Sequence, residues 1–128
     1  MKALLDTHAL IWTMDATEKL GVRAEDFVTD QASELLLSAA TLWELGIKVG
    51  LNKLTLSLPF REWMTIAFAD LNLTLLPITL DVADIQSRLS QHHKDPFDRL
   101  LVAQALAENV PIVSVDDKLD AYGITRIW

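Results

Sequence analysis

"HHKDPFDRLLVAQALAENVPIVSVDD", residues 92–117, holds the two signals that decide the fold. Residues 96–108 read as a helix rich in Leu, Val and Ala, with Pro96 at its first position and Asp95 at its N-cap. "PIVSV" (111–115) follows almost at once. It is a short apolar run without clean polar alternation, the pattern of a strand buried on both faces. A helix that feeds such a strand is half of a parallel-sheet crossover.

The same alternation extends along the chain. "KALL" (2–5), "ELLLS" (34–38), "LTLLPI" (73–78) and "ITRIW" (124–128) are further strand candidates. Between them a helix over 39–49 has Ser38 as its cap, and one over 80–90 has Thr79. Residues 59–71 carry Phe60, Trp63, Met64, Ala67, Phe68 and Leu71 at i, i+3, i+4 spacing behind Pro59. Strands alternating with helices predict an α/β fold, a three-layer sandwich around a mostly parallel sheet. The 128 residues suit one domain over 1–128. A chain of this size buries roughly two-thirds of its unfolded surface.

Composition narrows the function classes. There is no cysteine, which excludes disulfides and thiolate metal sites. Eleven basic against eighteen acidic residues give a formal charge of −7. That argues against a broad basic surface for nucleic acid, because Lys and Arg supply most non-specific phosphate affinity. It does not exclude an enzyme that meets phosphates through bound cations. "MKALLDTHALIW" is no signal peptide, since Asp6 and His8 interrupt the apolar run, and no apolar stretch approaches a membrane span. The expectation is a soluble cytoplasmic protein. A mean hydropathy of +0.25 is high for a small monomer and points to apolar surface covered by a partner or second subunit.

In a parallel α/β sheet, ligands bind outside the carboxyl ends of the strands. Asp6 follows the first strand directly, Asp116 follows "PIVSV", and Glu44 and Asp98 lie in the first turns of helices. Strand ends and helix starts share one edge, so four acids distant in sequence converge there. Each also has a plainer reading. Asp95 and Asp98 suit the start of a helix, as cap and dipole partner. Yet Asp98 has Leu101, Val102 and Ala105 as its i+3, i+4 and i+7 neighbours, so its carboxylate falls on an apolar sector and needs a partner. Glu44 and Lys48 form an i, i+4 pair, but Ala40 and Ile47 flank Glu44. Asp6 can cap a helix beginning at Thr7, and Asp116 can be a turn residue. As a set, four like charges at one edge would repel unless cations held them. Carboxylates without cysteine suit hard ions such as Mg²⁺ or Mn²⁺. The histidines are weaker signals. His8 either lines the same edge or packs in the core, and His92 and His93 are expected to face solvent from a loop. The four tryptophans suit core or interface better than base stacking.

"LLDTHALIW" (4–12), "SAATLWELGIK" (38–48), "HKDPFDRLLVAQA" (93–105) and "PIVSVDDKL" (111–119), in this order, resemble the PIN-domain family, and most of all its small bacterial members, the VapC-type toxins of type II toxin–antitoxin pairs. The resemblance covers essentially the whole chain. It implies an α/β/α sandwich and a metal-dependent endoribonuclease, often a homodimer, inhibited by a cognate antitoxin. The family's four acids match Asp6, Glu44, Asp98 and Asp116, as catalytic and metal-holding residues. Ser114 occupies the Ser/Thr place before the last acid, where it would orient a ligand or water. Thr7 is a further supporting candidate. Asp95 matches an acid of the "DPFD" branch and its role stays open. His8 departs from the Asn or Ser common there. Arg99 and Lys48 are candidates for flanking RNA phosphates, with a solvated surface role as the alternative.

Two rival classes remain. A Mg²⁺-binding phosphoacceptor domain would want two adjacent acids after the first strand, and "LLDTH" offers one. A non-catalytic interaction module would use the acids only as caps.

Overall fold

The computed structural model of the protein describes residues 1–128. Five strands, β1 (Lys2–Leu5), β2 (Glu34–Ser38), β3 (Thr74–Leu76), β4 (Ile112–Val113) and β5 (Arg126–Ile127), form one sheet. Their spatial order is β3-β2-β1-β4-β5, and every neighbouring pair is parallel. Six helices connect them: α1 (Thr7–Asp15), α2 (Val22–Thr29), α3 (Ala39–Gly50), α4 (Phe60–Asp70), α5 (Leu80–Ser87) and α6 (Pro96–Glu108). Short 3₁₀ turns occupy Thr17–Lys19 and Asp117–Tyr122.

The strands alternate by residue, and both sides are apolar. Ala3 and Leu5 of β1, Leu35 and Leu37 of β2 and Val113 of β4 enter one buried cluster with Ala9, Leu10, Ala24, Leu45 and Trp63. Leu4, Leu36 and Ile112 point the other way, onto Leu101, Val102 and Ala105 of α6. A strand buried on both faces needs apolar residues at every position, which is why these runs show no polar alternation.

The expected elements are present, most with trimmed ends and α3 one residue longer than expected. β1, β2 and α6 have the bounds read from the sequence. Ser38 accepts the N–H of Ala40 at 3.1 Å and Thr79 that of Val82 at 3.2 Å, so both anticipated caps form. "LTLLPI" differs: β3 has only three residues at the sheet edge, and Thr74 and Leu75 are exposed. An edge strand has one paired side, so its apolar run carries no promise of burial. Helix α2 was not anticipated. Its inward face is short, Ala24 and Val28 buried with Phe27 packed beside them, on a helix of only eight residues. Its cap is Gly21, where a Cβ would lie 2.6 Å from the backbone carbon of Trp128; the C-terminus closes on α2 only because this position has no side chain.

Topology positions the site. The chain runs outward from β1 to β2 to β3, then returns to place β4 on the opposite side of β1. The order therefore reverses between β1 and β4, and the carboxyl ends of these two strands flank the crevice where such sheets bind ligands. Asp6 ends one strand, and Ser114 and Asp116 follow the other. No helix is long and apolar enough to cross a membrane.

Candidate functional site

Three of the acids act as caps, and each commits only part of its carboxylate to that task. Asp6 Oδ1 accepts the N–H of Ala9 at 2.7 Å and starts α1. Asp95 Oδ1 accepts the N–H of Phe97 at 2.9 Å and starts α6. Asp116 Oδ1 accepts the N–H of Lys118 at 3.0 Å and starts the 3₁₀ turn. The capping role expected as an alternative is thus real, and for Asp116 it leaves Oδ2 to face the crevice, where His93 stands 3.2 Å away.

Ser114 is fully buried at the end of β4 and ties two of the acids together. Its Oγ accepts the N–H of Asp116 at 3.0 Å, and its hydroxyl donates to Asp6. The backbone N–H of Asp6 donates to the carbonyl of Val113 at 3.1 Å, which locks the two strand ends side by side. Glu44 is buried on α3. Thr7 donates to its Oε1 at 2.6 Å, and Lys48 lies 3.3 Å from its Oε2. Since Thr7 is the residue after Asp6, Glu44 is held to the same strand end.

The electrostatics show the crowding. Burial pushes the Asp6 carboxyl above its ordinary value, and the neighbouring Asp116 charge adds to the rise; Ser114, the Ala9 N–H and His8 oppose it. Asp98 is pushed up to about 6, first by burial and then by the charges of Asp95, Asp116 and Asp6, with His93 opposing. Oxygens of Asp98 and Asp116 and the Nε2 of His93 all lie within 4.8 Å of one another. Hard carboxylate oxygens under mutual repulsion are the donor set that a small divalent cation relieves, so the residues present fit such an ion.

This pKa has a consequence for stability. Asp98 titrates near 6 when folded and at its ordinary 3.8 when unfolded. Between those values the folded state holds more protons, so raising the pH through this window destabilises it. Below the window both states are protonated, and above it the cost is fully present. In chelator, the melting temperature of the wild type should fall relative to Asp98→Asn as pH rises from about 4 to about 6. A constant difference between the two proteins across that range would contradict the assignment.

Two positions differ from expectation. His93 does not face solvent. Its side chain is 15% exposed, and Nε2 stands 3.2 Å from both Asp98 Oδ2 and Asp116 Oδ2. His92 does remain exposed, edge-on to Tyr122. His8 is exposed as well and leans on Trp12, so it is not a core histidine. Arg99 turns away from the crevice: NH1 donates to the Ser90 carbonyl at 2.9 Å, and NH2 reaches the carbonyls of Leu89 and Gln86 at 3.4 Å. It fastens the segment between α5 and α6. Lys48 keeps an exposed ammonium beside Glu44. Sequence signal for His93 existed, in a histidine two residues before "DPFD", but its direction depends on how residues 88–95 fold back.

A reversed parallel sheet with carboxylates on both sides of its switch point defines a class of α/β proteins whose chemistry sits at that crevice. The PIN domain model matches residues 3–124, and the chain belongs to the PIN-domain family. No curated protein matches the sequence. Solved structures share the fold at low identity. The VapBC2 complex of Rickettsia felis, bound to a promoter DNA fragment, is 15% identical with a TM-score of 0.75, over 98% of this chain and 97% of that one. FitAcB from Neisseria gonorrhoeae is 18% identical with a TM-score of 0.66, over 98% and 96%. VapBC-5 of Mycobacterium tuberculosis, of the VapBC family of toxin–antitoxin systems, is 22% identical with a TM-score of 0.58, over 94% and 89%.

Proposed function

We propose that the protein is a Mg²⁺- or Mn²⁺-dependent endoribonuclease, the toxin of a type II toxin–antitoxin pair. The observation that carries this reading is the gathering of Asp6, Asp98 and Asp116 from three separate elements at the β1/β4 switch point of a PIN fold, two of them with raised pKa. Asp6, Asp98 and Asp116 hold the cation, and Glu44 completes the set from α3. A divalent cation held by these residues would supply an acidified water and positive charge for the phosphoryl group.

The chain's own contribution is placement. Ser114 fixes the spacing of Asp6 and Asp116. Thr7 fixes the Glu44 carboxylate, leaving it to orient water or cation rather than swing with solvent. Asp95 starts α6 and so sets the position of Asp98. Lys48 offers positive charge to a flanking phosphate on an otherwise acidic protein. The substrate on this reading is an exposed single-stranded segment of RNA, the form whose unstacked bases a protein can reach.

Partner proteins form part of the proposal. Trp43 and Ile47 of α3 and Ile66 of α4 are exposed apolar side chains. Leu42, Phe60, Met64 and Phe68 line an apolar groove of about 610 Å³ with Trp43. Such surface suits cover by protein. The similarity to a member of the VapBC family of toxin–antitoxin systems supports a cognate antitoxin. A homodimer is the assembly proposed for the toxin itself.

The test is cleavage of end-labelled structured RNAs by antitoxin-free protein in Mg²⁺, Mn²⁺ or EDTA. Discrete cuts with either metal and none in EDTA are expected. Cuts of equal strength in EDTA would remove the metal-dependent mechanism.

A further inference from the structure

The gap between two of the proposed metal ligands is already bridged from within the chain. His93 lies in the segment between α5 and α6 and aims Nε2 at Oδ2 of both Asp98 and Asp116, 3.2 Å from each. Its other ring nitrogen is engaged from behind: the backbone N–H of Asp95 donates to Nδ1 at 3.1 Å. A backbone N–H can only donate, so Nδ1 presents a lone pair and the ring proton resides on Nε2. The N–H of His93 that faces the crevice therefore points between two carboxylates.

The surrounding contacts hold it there. The backbone N–H of His93 donates to the Tyr122 hydroxyl at 2.8 Å, at the end of the 3₁₀ turn that Asp116 begins. Arg99, next to Asp98, grips the carbonyl of Ser90. The segment is thus fastened to both elements that carry the acids.

The same geometry argues against Nε2 as a ligand. Ligation needs a lone pair on Nε2 and moves the proton to Nδ1. That proton would face the Asp95 N–H, donor against donor, beside the cap that starts α6. The ring supports the carboxylates as a hydrogen-bond donor or it leaves; it does not coordinate without breaking the Asp95 bond.

We propose that His93 is a latch: its Nε2–H occupies the gap between Asp98 and Asp116 in the metal-free protein, and cation binding requires the imidazole to withdraw. His93 is a positioning residue on this view, in competition with the metal. The proposal rests on Asp98 and Asp116 being metal ligands.

The experiment titrates Mn²⁺ calorimetrically, at one pH, into the full chain as wild type, His93→Ala, His93→Gln and Asp98→Asn. Removing the latch should tighten Mn²⁺ binding roughly tenfold, the equivalent of one net hydrogen bond to a charged group. His93→Gln keeps an amide donor and should fall between. Alongside, ¹⁵N–¹H correlation of the histidine rings in the wild type should show the Nε2–H tautomer without metal and its loss with saturating Mg²⁺; this arm needs no variant. Weaker or unchanged Mn²⁺ binding by His93→Ala overturns the latch, as does a ring spectrum that Mg²⁺ leaves unaltered. Undiminished Mn²⁺ binding by Asp98→Asn would instead remove the metal site itself, and the latch with it.

Discussion

Replacing Asp98 by Asn should abolish RNA cleavage, by at least roughly 100-fold, while making the metal-free protein more stable. The loss follows from charge. Asn offers one neutral oxygen where the cation needs an anionic one, and removal of a single group aimed at developing charge typically costs ~10²–10³ in rate. The gain follows from the same charge. Asp98 is pushed up to about 6 by burial and by Asp95, Asp116 and Asp6, so its ionised form is disfavoured in the fold at neutral pH. Asn keeps the shape and a hydrogen-bond acceptor for His93 without the repulsion. A purely structural Asp98, acting as a dipole partner in the first turn of α6, would behave the other way: the variant would lose stability and keep its activity. The paired measurement is cleavage rate in Mg²⁺ and melting temperature in chelator at neutral pH. Activity lost together with stability would point to misfolding rather than to a missing ligand, and full activity would end the assignment.

Strong elements announced themselves twice. Helix α6 had an Asp-Pro start and an apolar body, and β1 and β2 were unbroken apolar runs; all three kept their expected bounds. The acids were legible because topology does most of the placing: a residue that follows a parallel strand must reach the carboxyl edge, whatever its neighbours are. The hydrogen-bond economy was not legible. Asp116 serves as a cap through Oδ1 and faces the crevice through Oδ2, so capping does not exclude a place at the site. His93 was misread because a loop histidine has no periodicity to reveal its direction; its position is fixed by Tyr122 and Asp95, one of them 29 residues away. Arg99 was invisible for a related reason, since its carbonyl partners lie in a bend that no local pattern predicts. Edge elements failed most simply. β3 has one paired side and exposed residues, so its apolar sequence overstated both its length and its burial.

Trp63→Ala should be the most damaging single change to the fold, destabilising it by about 3–5 kcal/mol. Trp63 is 1% exposed and is the largest of the fully buried side chains. It sits on α4 in the cluster that also holds Leu5, Leu10, Leu37 and Val113, so its indole spans from the outer helix to the strands that carry the site. Its Nε1–H is satisfied as well, lying 3.1 Å and 3.0 Å from the two carboxylate oxygens of Asp15 at the end of α1. Asp15 in turn accepts from the N–H and hydroxyl of Ser57, at 3.1 Å and 2.7 Å, and so closes the loop before α4 onto α1. Trp63→Ala removes both contributions, the ring volume and the bond. Trp63→Phe removes mainly the bond and should cost about 1.5–3 kcal/mol, the range for a hydrogen bond to a charged group. At this chain length the Ala variant should melt on the order of 10–20 °C lower than wild type, and the Phe variant intermediate. Because the polar partner of Trp63 is Asp15 and none of the four crevice acids, the proposed cleavage should persist in both variants at temperatures where they remain folded. A Trp63→Ala protein that melted within a few degrees of wild type would mean that α4 does not close this core.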